Sequence, residues 1–353
     1  MAPAPRNYVF ASDNTAGICP EALAALNAAN AGRVPSYGDD EWTARARARL
    51  REVFETECEV FFVFNGTAAN ALALSAACRS FQSIVCHQHS HLETDECNAP
   101  EFFTGGAKVL PLPGDGAKLD PAAVEAVTHR GHGVHYAKPG ALSLTQATEL
   151  GTVYTPAEIR ALGAVAKKHG LVMHLDGARF ANALVTLRER LGATPADLTW
   201  RAGVDVLSFG GTKNGMHTTE VVVCFNRDLG RDFDRRVKQS GQLASKQRFA
   251  AAQWAAVLAD GAWLRHAAHA NAMARRLAQG LQSLPGCRLP WPTEANGVFV
   301  TLPPALAAGL DTQGWQFYRF FGDDGYRFMC SWDTQPAEVD VFVAAARDLA
   351  SRK

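Results

Sequence analysis

The sequence predicts an α/β protein, with a large domain built on a mostly parallel sheet and a smaller α+β domain after it. Apolar runs of strand length alternate with helical segments through about residue 225, which is typical of a parallel sheet covered on both faces. Polar residues follow two of these runs directly, and ligands bind at such strand ends. Beyond Ser240 the pattern changes to a long alanine-rich helical stretch.

The first elements form a strand-turn-helix unit. A helix is predicted over residues 43–56, because its apolar side chains recur at helical spacing. A strand over 60–64 follows, and a turn leads into a helix over 68–77. The next short apolar run, at 83–86, is predicted to be a second strand.

A further helix is marked by its capping residues. Thr155 supplies the N-cap hydroxyl, Pro156 suits the first helical position, and Glu158 completes a capping box. The helix is predicted over 156–169 and leads straight into a strand that contains Asp176.

The C-terminal part is predicted to be a separate small domain. Its strand candidates are residues 297–302 and 326–330. A chain of 353 residues has enough apolar material for two unequal domains. The predicted division into an N-terminal arm, a large domain and a small C-terminal domain falls at residues 1–15, 16–240 and 241–353.

Composition and charge point to a small-molecule substrate. The formal net charge is +0 and the pI about 7.2, so nothing indicates nucleic acid or a membrane surface as a partner. The N-terminal residues lack the apolar stretch of a secretory signal, and no run of roughly 18 apolar residues occurs. The 8 cysteines form no Cys-x-x-Cys pair. We therefore expect a cytoplasmic protein with buried cysteines, no disulfide framework and no metal site.

Lys213 and Asp176 indicate a cofactor. Lys213 follows an apolar strand and stands among glycines, and Asp176 lies near the end of an upstream strand. A pyridoxal phosphate enzyme needs a lysine amine that binds the aldehyde as a Schiff base, and a carboxylate that keeps the ring nitrogen protonated. The two residues fit these roles. Considered alone, Lys213 would be interpreted as a solvated surface charge, and Asp176 as a cap of the next helix.

Two other patterns each allow two interpretations. Gly66 and Thr67 stand at a strand-to-helix turn, where free N–H groups and the helix dipole bind phosphate, although the pair also serves backbone shape alone. His87, His89 and His91 alternate, and on a strand such imidazoles share a face and could bind zinc. A surface or core role is the simpler interpretation for the first two histidines.

Together, several stretches resemble the threonine aldolase family of pyridoxal phosphate enzymes, in its low-specificity and phenylserine branch. The resemblance runs nearly end to end. It implies the aspartate-aminotransferase-like fold, called fold type I, whose large domain holds a seven-stranded, mostly parallel sheet. The matching stretches are Ser12–Asn14, Tyr37–Asp40, Asn65–Asn70, Ser90–His91, His174–Arg179, Thr212–Lys213 and Tyr326–Arg327.

The resemblance also implies roles that no local pattern selects. His91 would lie flat against the cofactor ring. The substrate carboxylate would be bound by residues from distant parts of the chain, with a planar guanidinium forming a two-pronged contact. The implied substrate contacts are Ser12, Arg179, Arg327 and Tyr37.

A second subunit is implied as well. Lys246 and Arg248, or nearby Lys238, would supply positive charge to the phosphate from a partner subunit. The expected assembly is a homodimer or homotetramer with active sites at the subunit interface.

The implied activity is cleavage of L-β-hydroxy-α-amino acids (threonine, allo-threonine and phenylserine) to glycine and an aldehyde. Many family members carry histidine where this chain has Gln146, which cannot accept a proton and is expected only to orient. The base is left among His91, His89, Asp95 and a water, and Asp95 stands where other members have tyrosine. The alternative is another fold type I reaction: β-elimination, transamination or serine hydroxymethyl transfer.

Overall fold

A computed structural model describes residues 6–131 and 133–351, so residues 1–5 of the predicted N-terminal arm lie outside the described part. The strands are β1 (Glu59–Val63), β2 (Gln82–His87), β3 (Lys108–Leu112), β4 (Lys138–Thr145), β5 (Val172–Gly177), β6 (Val206–Gly210), β7 (Glu220–Cys224), β8 (Gly297–Thr301), β9 (Tyr318–Phe321) and β10 (Gly325–Met329).

The helices lie between and after these strands. They are α1 (Pro20–Ala29), α2 (Glu41–Phe54), α3 (Gly66–Ala77), α4 (His91–Thr94), α5 (Ala99–Thr104), α6 (Pro121–Thr128), α7 (Pro156–His169), α8 (Phe180–Leu191), α9 (Arg227–Gly230), α10 (Phe233–Gln239), α11 (Arg248–Ala259), α12 (Ala262–Gln282), α13 (Pro304–Thr312) and α14 (Pro336–Ser351).

The large sheet has seven strands in the order β1-β7-β6-β5-β4-β2-β3. Neighbours from β6 to β3 are parallel, whereas β7 runs antiparallel to both β6 and β1. The predicted seven-stranded, mostly parallel sheet is therefore confirmed. β7 reverses direction because residues 211–219, which join it to β6, are too few for the helical crossover that a parallel connection needs.

Helices cover both faces of this sheet. Adjacent residues of β6 point to opposite faces, as strand geometry requires. Val206 packs in a buried cluster with side chains of α3, whereas Leu207 packs on the other face with side chains of α2, α7, α8 and α11. The layered α/β arrangement predicted from the alternating pattern is thus present.

Capping side chains determine where the early helices begin. α2 begins before its predicted start because Asp40 accepts a hydrogen bond from the Thr43 N–H at 2.9 Å. α3 also begins early, since Asn65 accepts one from the Ala68 N–H at 2.8 Å. α7 has its predicted bounds, 156–169, and its capping box.

The small unit contains the antiparallel sheet β8-β10-β9, in which β8 and β10 correspond to the two strands predicted there. Side chains of α12, α13 and α14 pack with it in a separate buried cluster that includes Phe328. Phe10 belongs to the same cluster, and its carbonyl oxygen accepts the Met329 N–H at 2.9 Å. The N-terminal segment thus completes the core of the small unit.

Helix α12 connects the two cores. Trp263 and Ala267 in its first part pack with the large sheet, whereas Met273 and Leu277 pack in the small unit. The domain boundary predicted at residue 240 stays a prediction. Within residues 6–131 and 133–351, no helix has the length and apolar composition that a membrane span requires.

Candidate active site

A cavity of about 280 Å³ lies at the carboxyl ends of the parallel strands. Such ends meet at one edge of a sheet, so residues far apart in the chain converge there. The predicted cofactor residues that line the cavity are Gly66, Thr67, His91, Asp176 and Lys213.

Lys213 is held on a short 3-10 turn, Thr212–Asn214, directly after β6. The turn is preceded by Gly211, where a Cβ atom would overlap the Thr219 carbonyl oxygen. It is followed by Gly215, whose φ of 91° is a conformation that glycine adopts without strain. The glycines around Lys213 therefore fix the turn that brings the lysine to the cavity.

The Asp176 carboxylate is buried in the cavity wall, with 3% of the residue exposed. Its Oδ1 accepts the Ala178 N–H at 3.0 Å, and its Oδ2 accepts the Asn70 side-chain amide at 2.9 Å. The alternative role of Asp176 as a helix cap is wrong, because α8 has Arg179 at its N-cap.

Asn70 and Glu96 link Asp176 to His91. The Asn70 amide also donates to Glu96 Oε1 at 2.8 Å, and the same oxygen lies 2.8 Å from His91 Nδ1. Burial raises the pKa of Glu96. Burial alone would lower the pKa of His91, but the hydrogen bond to Glu96 and the charge of Asp176 outweigh it and raise that pKa. The network orients the imidazole through Nδ1 and leaves Nε2 for a ligand.

A second polar row lies beside the cavity. His174 on β5 is completely buried between Ser143 on β4 and Ser208 on β6, with Nδ1–Oγ and Nε2–Oγ distances of 2.8 and 3.0 Å. Burial lowers the pKa of His174 to about 4. A neutral imidazole therefore joins three parallel strands next to Ser208, which lines the cavity.

The N-terminus of α3 faces the cavity at Gly66 and Thr67. The first hydrogen bond of this helix runs from the Ala69 N–H to the Asn65 carbonyl oxygen. The N–H groups of Gly66 and Thr67 precede that bond and are positioned to bind an anion. This arrangement suits the phosphate of the predicted cofactor.

Arg179 is engaged by a buried carboxylate, Asp13. Its Nε and Nη2 donate to the two Asp13 oxygens at 2.7 and 3.0 Å, and Asn296 donates to Asp13 at 3.0 Å. Burial opposes ionisation of Asp13, but the charge and hydrogen bonds of Arg179 lower its pKa. Ser12, the neighbour of Asp13, uses its hydroxyl oxygen to accept the Asn14 N–H at 3.2 Å.

Arg327 lies on β10, near enough to Arg179 for their charges to interact. Burial, and then repulsion by Arg179, lower the pKa of Arg327. Its guanidinium carbon lies 4.7 Å from the centre of the Phe320 ring, and its Nε is buried without a hydrogen-bond partner. An unpaired buried donor beside a second guanidinium favours an anionic ligand.

Glu220 is a buried carboxylate that lines the same cavity as Lys213. It accepts the Gly211 N–H at the start of the lysine turn. Burial raises the pKa of Glu220 to about 7, against the opposing hydrogen bonds of the turn and the charge of Lys213.

The beta-eliminating lyase family matches residues 10–303. The chain belongs to this family. It is 54% identical over 342 residues to the low specificity L-threonine aldolase of Pseudomonas sp. (strain NCIMB 10558), covering 97% of this chain and 98% of that protein. It is 54% identical over 340 residues to the Pseudomonas aeruginosa low specificity L-threonine aldolase, covering 96% of each. The solved Leishmania major threonine aldolase superposes with a TM-score of 0.91 at 30% identity, covering 98% of this chain and 100% of that one.

The beta-eliminating lyase family is pyridoxal phosphate-dependent, which confirms the predicted cofactor. The residues of this chain also fit the group. Asp176 is a buried carboxylate, the α3 N-terminus carries free N–H groups, and the Lys213 side chain lines the same cavity.

The Gln146 side chain is hydrogen-bonded within its own loop. Its side-chain amide donates to the Tyr154 carbonyl oxygen at 2.8 Å and its Oε1 accepts the Tyr154 N–H at 2.9 Å. The residue is fully buried and does not line the cavity. Its backbone N–H donates to the Asp176 carbonyl oxygen at 2.7 Å. The expected role of Gln146 in orienting substrate therefore lacks a free side-chain group.

The other predicted site residues that do not line the cavity are Ser12, Tyr37, His89, Asp95, Arg179, Lys238, Lys246, Arg248 and Arg327. Asp95 is exposed and accepts the Thr94 hydroxyl at 2.8 Å. Tyr37 is half exposed, and the ammonium group of Lys238 lies 5.1 Å from the centre of its ring. Lys246 is exposed, and Arg248 is partly buried.

The histidine run offers little to a metal. Both ring nitrogens of His87 bind backbone groups, the Gly114 carbonyl oxygen at 3.0 Å and the His89 N–H at 3.0 Å. His91 Nδ1 is bound to Glu96. These contacts argue against the zinc alternative for the three histidines.

Several residues of the site carried no assigned role in the sequence. Asn70, Asp13 and His174 stand inside the stretches that resemble the family, and this was the available signal for them. Glu96 stands in residues 89–96, a stretch that resembles the low-specificity and phenylserine branch of the family. Glu220 had no signal, because a strand reversal brings it to the cavity.

Proposed function

We propose that this protein is a pyridoxal phosphate-dependent lyase that cleaves threonine and related L-β-hydroxy-α-amino acids to glycine and an aldehyde. The observation that carries the proposal is the convergence of Lys213, Asp176 and the α3 N-terminus on one cavity. The likeness to low specificity L-threonine aldolases supports the choice of reaction. β-Elimination is the second candidate, favoured by the family to which the chain belongs.

The bound cofactor supplies an electron sink for the bond that breaks at the substrate α-carbon. Lys213 holds it through its amine, and Asp176 keeps its ring nitrogen charged. Because Asn70 donates to Asp176, that carboxylate is oriented as well as buried. The remaining cofactor contacts in the proposal are Gly66 and Thr67 at the phosphate and His91 against the ring.

Arg179, Arg327 and Ser12 bind the substrate carboxylate in this proposal. The contact between Arg179 and Asp13 fixes one edge of the guanidinium and leaves the other for a ligand. The unpaired Nε of Arg327 supplies a further donor. Holding the carboxylate determines which bond at the α-carbon is aligned to break.

His91 is the proposed proton acceptor for the substrate β-hydroxyl group, through Nε2. It lines the cavity, and Glu96 holds its Nδ1 at 2.8 Å. Gln146 cannot accept a proton, and Asp95 and His89 do not line the cavity. Replacing His91 with Asn is expected to lower kcat by roughly 100-fold while Lys213 still binds the cofactor. The same change at His89 is the control, and equal losses at both positions would exclude His91 as the base.

A partner subunit completes the active site in this proposal, with Lys246 and Arg248 at the phosphate and Tyr37 at the substrate. Tyr37, Lys246 and Arg248 are absent from the cavity of their own chain, which suits a contribution to a neighbouring one. Mixed oligomers of a Lys213→Ala chain and an Arg248→Ala chain should then regain activity that neither pure variant has. Without recovery in the mixture, the shared site is ruled out.

A cytoplasmic location stays a prediction.

The reaction is tested with purified protein and the vitamin B6 aldehyde. Threonine, allo-threonine and phenylserine should yield glycine and the matching aldehyde without added keto acid or folate. Borohydride reduction should fix the cofactor permanently to Lys213, which mass spectrometry detects, and Lys213→Ala should lose this attachment. The same variant should lower kcat by at least about 1,000-fold. Ammonia and a keto acid as the main products would instead establish elimination.

A further inference from the structure

Three side chains with metal-binding atoms meet between the ends of α6 and α7, outside the cofactor cavity. Glu125 and His129 lie one turn apart at the end of α6, and His169 is the last residue of α7. The Nε2 atoms of His129 and His169 lie 3.2 and 2.9 Å from the same Glu125 oxygen. We propose that this cluster, Glu125–His129–His169, is a binding site for a divalent cation of the zinc type.

The distances suit this ion. Zinc bonds of about 2.0–2.1 Å in a tetrahedral site place neighbouring ligand atoms about 3.3 Å apart. The ligand atoms of the cluster all lie within 4.8 Å of one another, and two of the separations are already near that value. The two imidazole planes meet at 87°. Two histidines and one glutamate are a zinc ligand set that leaves a fourth position open.

The position also attracts positive charge. Two helices end here, and helix C-termini carry partial negative charge. The Lys168 ammonium lies 2.7 Å from the same Glu125 oxygen, where the metal would bind. Lys168 is 64% exposed and His129 is 66% exposed, so the ammonium can swing away and an ion can reach the ligands from solvent. The lysine is therefore a competitor for the site.

A bound ion would join the ends of α6 and α7. α7 continues through Gly170 into β5, the strand that carries Asp176. An ion that binds only the folded protein raises its stability in proportion to the logarithm of ion concentration. The site is thus expected to stabilise the large unit without touching the reacting groups.

The experiment titrates chelator-treated holoenzyme with Zn²⁺ by calorimetry and follows the melting temperature. One equivalent should bind per chain, and the melting temperature should rise with Zn²⁺. His129→Ala and His169→Ala should each weaken binding on the order of 100-fold. Lys168→Ala should tighten it by about fivefold, because it removes a positive charge that competes with the ion for Glu125.

The matched control is Cys19→Ser, which alters another potential ligand group, Cys19–Glu21–His266. That change should leave the affinity as it is. Equal melting temperatures of the metal-free variants establish that each is folded. The proposal is overturned if no Zn²⁺ binds, if the two histidine variants bind as tightly as the parent, or if Lys168→Ala fails to tighten binding.

Discussion

At the scale of single residues, the polar contacts behind the cavity determine how the charged groups are held. Asn70 is the central member, since its one amide group donates to both Glu96 and Asp176. A buried carboxylate that loses such a donor is destabilised by about 1–3 kcal/mol. Asn70 therefore affects the site by positioning Asp176 directly and His91 through Glu96.

Replacing Asn70 with Ala is expected to weaken cofactor binding by about tenfold or more, because the lost hydrogen bond held Asp176 in place. Spectroscopic titration of the apoprotein with cofactor measures this. Asn182→Ala is the control, because Asn182 is also a buried amide but pairs with Asn271 between α8 and α12. If both variants lose the same cofactor affinity, the Asn70 effect is only a general loss of stability.

His174 predicts a specific pH dependence of stability. Its pKa is about 4 when folded, against an ordinary 6.5, so the unfolded chain binds more protons between these values. The free energy of unfolding should therefore fall as the pH drops from about 6.5 to about 4, by up to about 3 kcal/mol for this residue. His174→Asn should flatten that part of the curve in urea unfolding at several pH values. An unchanged slope would refute this origin.

Single residues were predictable from sequence only where their chemistry is local. Asp176 lies near the end of a strand, and Lys213 and the Gly66–Thr67 pair come soon after strand ends, so the strand pattern located them. The engagement of Arg179 by Asp13 was not predictable, because 166 residues separate the two and no periodicity relates them. Gln146 was assigned by resemblance, and only the fold reveals that Tyr154 occupies its amide.

At the scale of elements, α7 shows where local preference and packing disagree. Gly163 lies inside this helix, and alanine there would normally add about 1 kcal/mol of helix stability. A Cβ atom at Gly163 would, however, overlap the Ala202 carbonyl oxygen. The close approach of backbone therefore requires glycine.

Gly163→Ala is accordingly expected to lower the free energy of unfolding by about 1–3 kcal/mol, because overpacking outweighs helix preference. Urea unfolding measures the change. The control is Ala164→Gly on the exposed side of the same helix, which should cost about 1 kcal/mol from preference alone. A more stable Gly163→Ala protein would contradict the packing argument.

The elements with strong periodicity or caps were the ones that sequence could predict. α7 has both and keeps its predicted bounds. α2 and α3 differ at their starts, since Asp40 and Asn65 act as caps. The reversed strand β7 depends on the length of one connection, and the pattern of apolar residues does not encode its direction.

At the scale of the whole molecule, the N-terminal segment belongs to the small unit. Phe10 is buried there and packs against Trp315 and Phe342 with ring centres 6.2 and 5.0 Å away. Phe10→Ala is expected to lower the free energy of unfolding by about 3–5 kcal/mol, as a large cavity opens in this core. Tyr8→Ala, at a half-exposed position, is the control and should change it little. Similar losses in both would show that Phe10 adds nothing by its burial.

Phe10 and Asp13 are three positions apart, yet one is embedded in the small unit and the other grips Arg179 of the large unit. Because the segment between them is so short, the distance between Phe10 and Asp13 can change little. We expect a hinge rotation of the small unit to displace the Arg179 guanidinium through Asp13. Domain opening and release of the amino acid would then occur together. The coupling would be disproved if saturating glycine left the rate of amide hydrogen exchange at residues 10–13 unchanged.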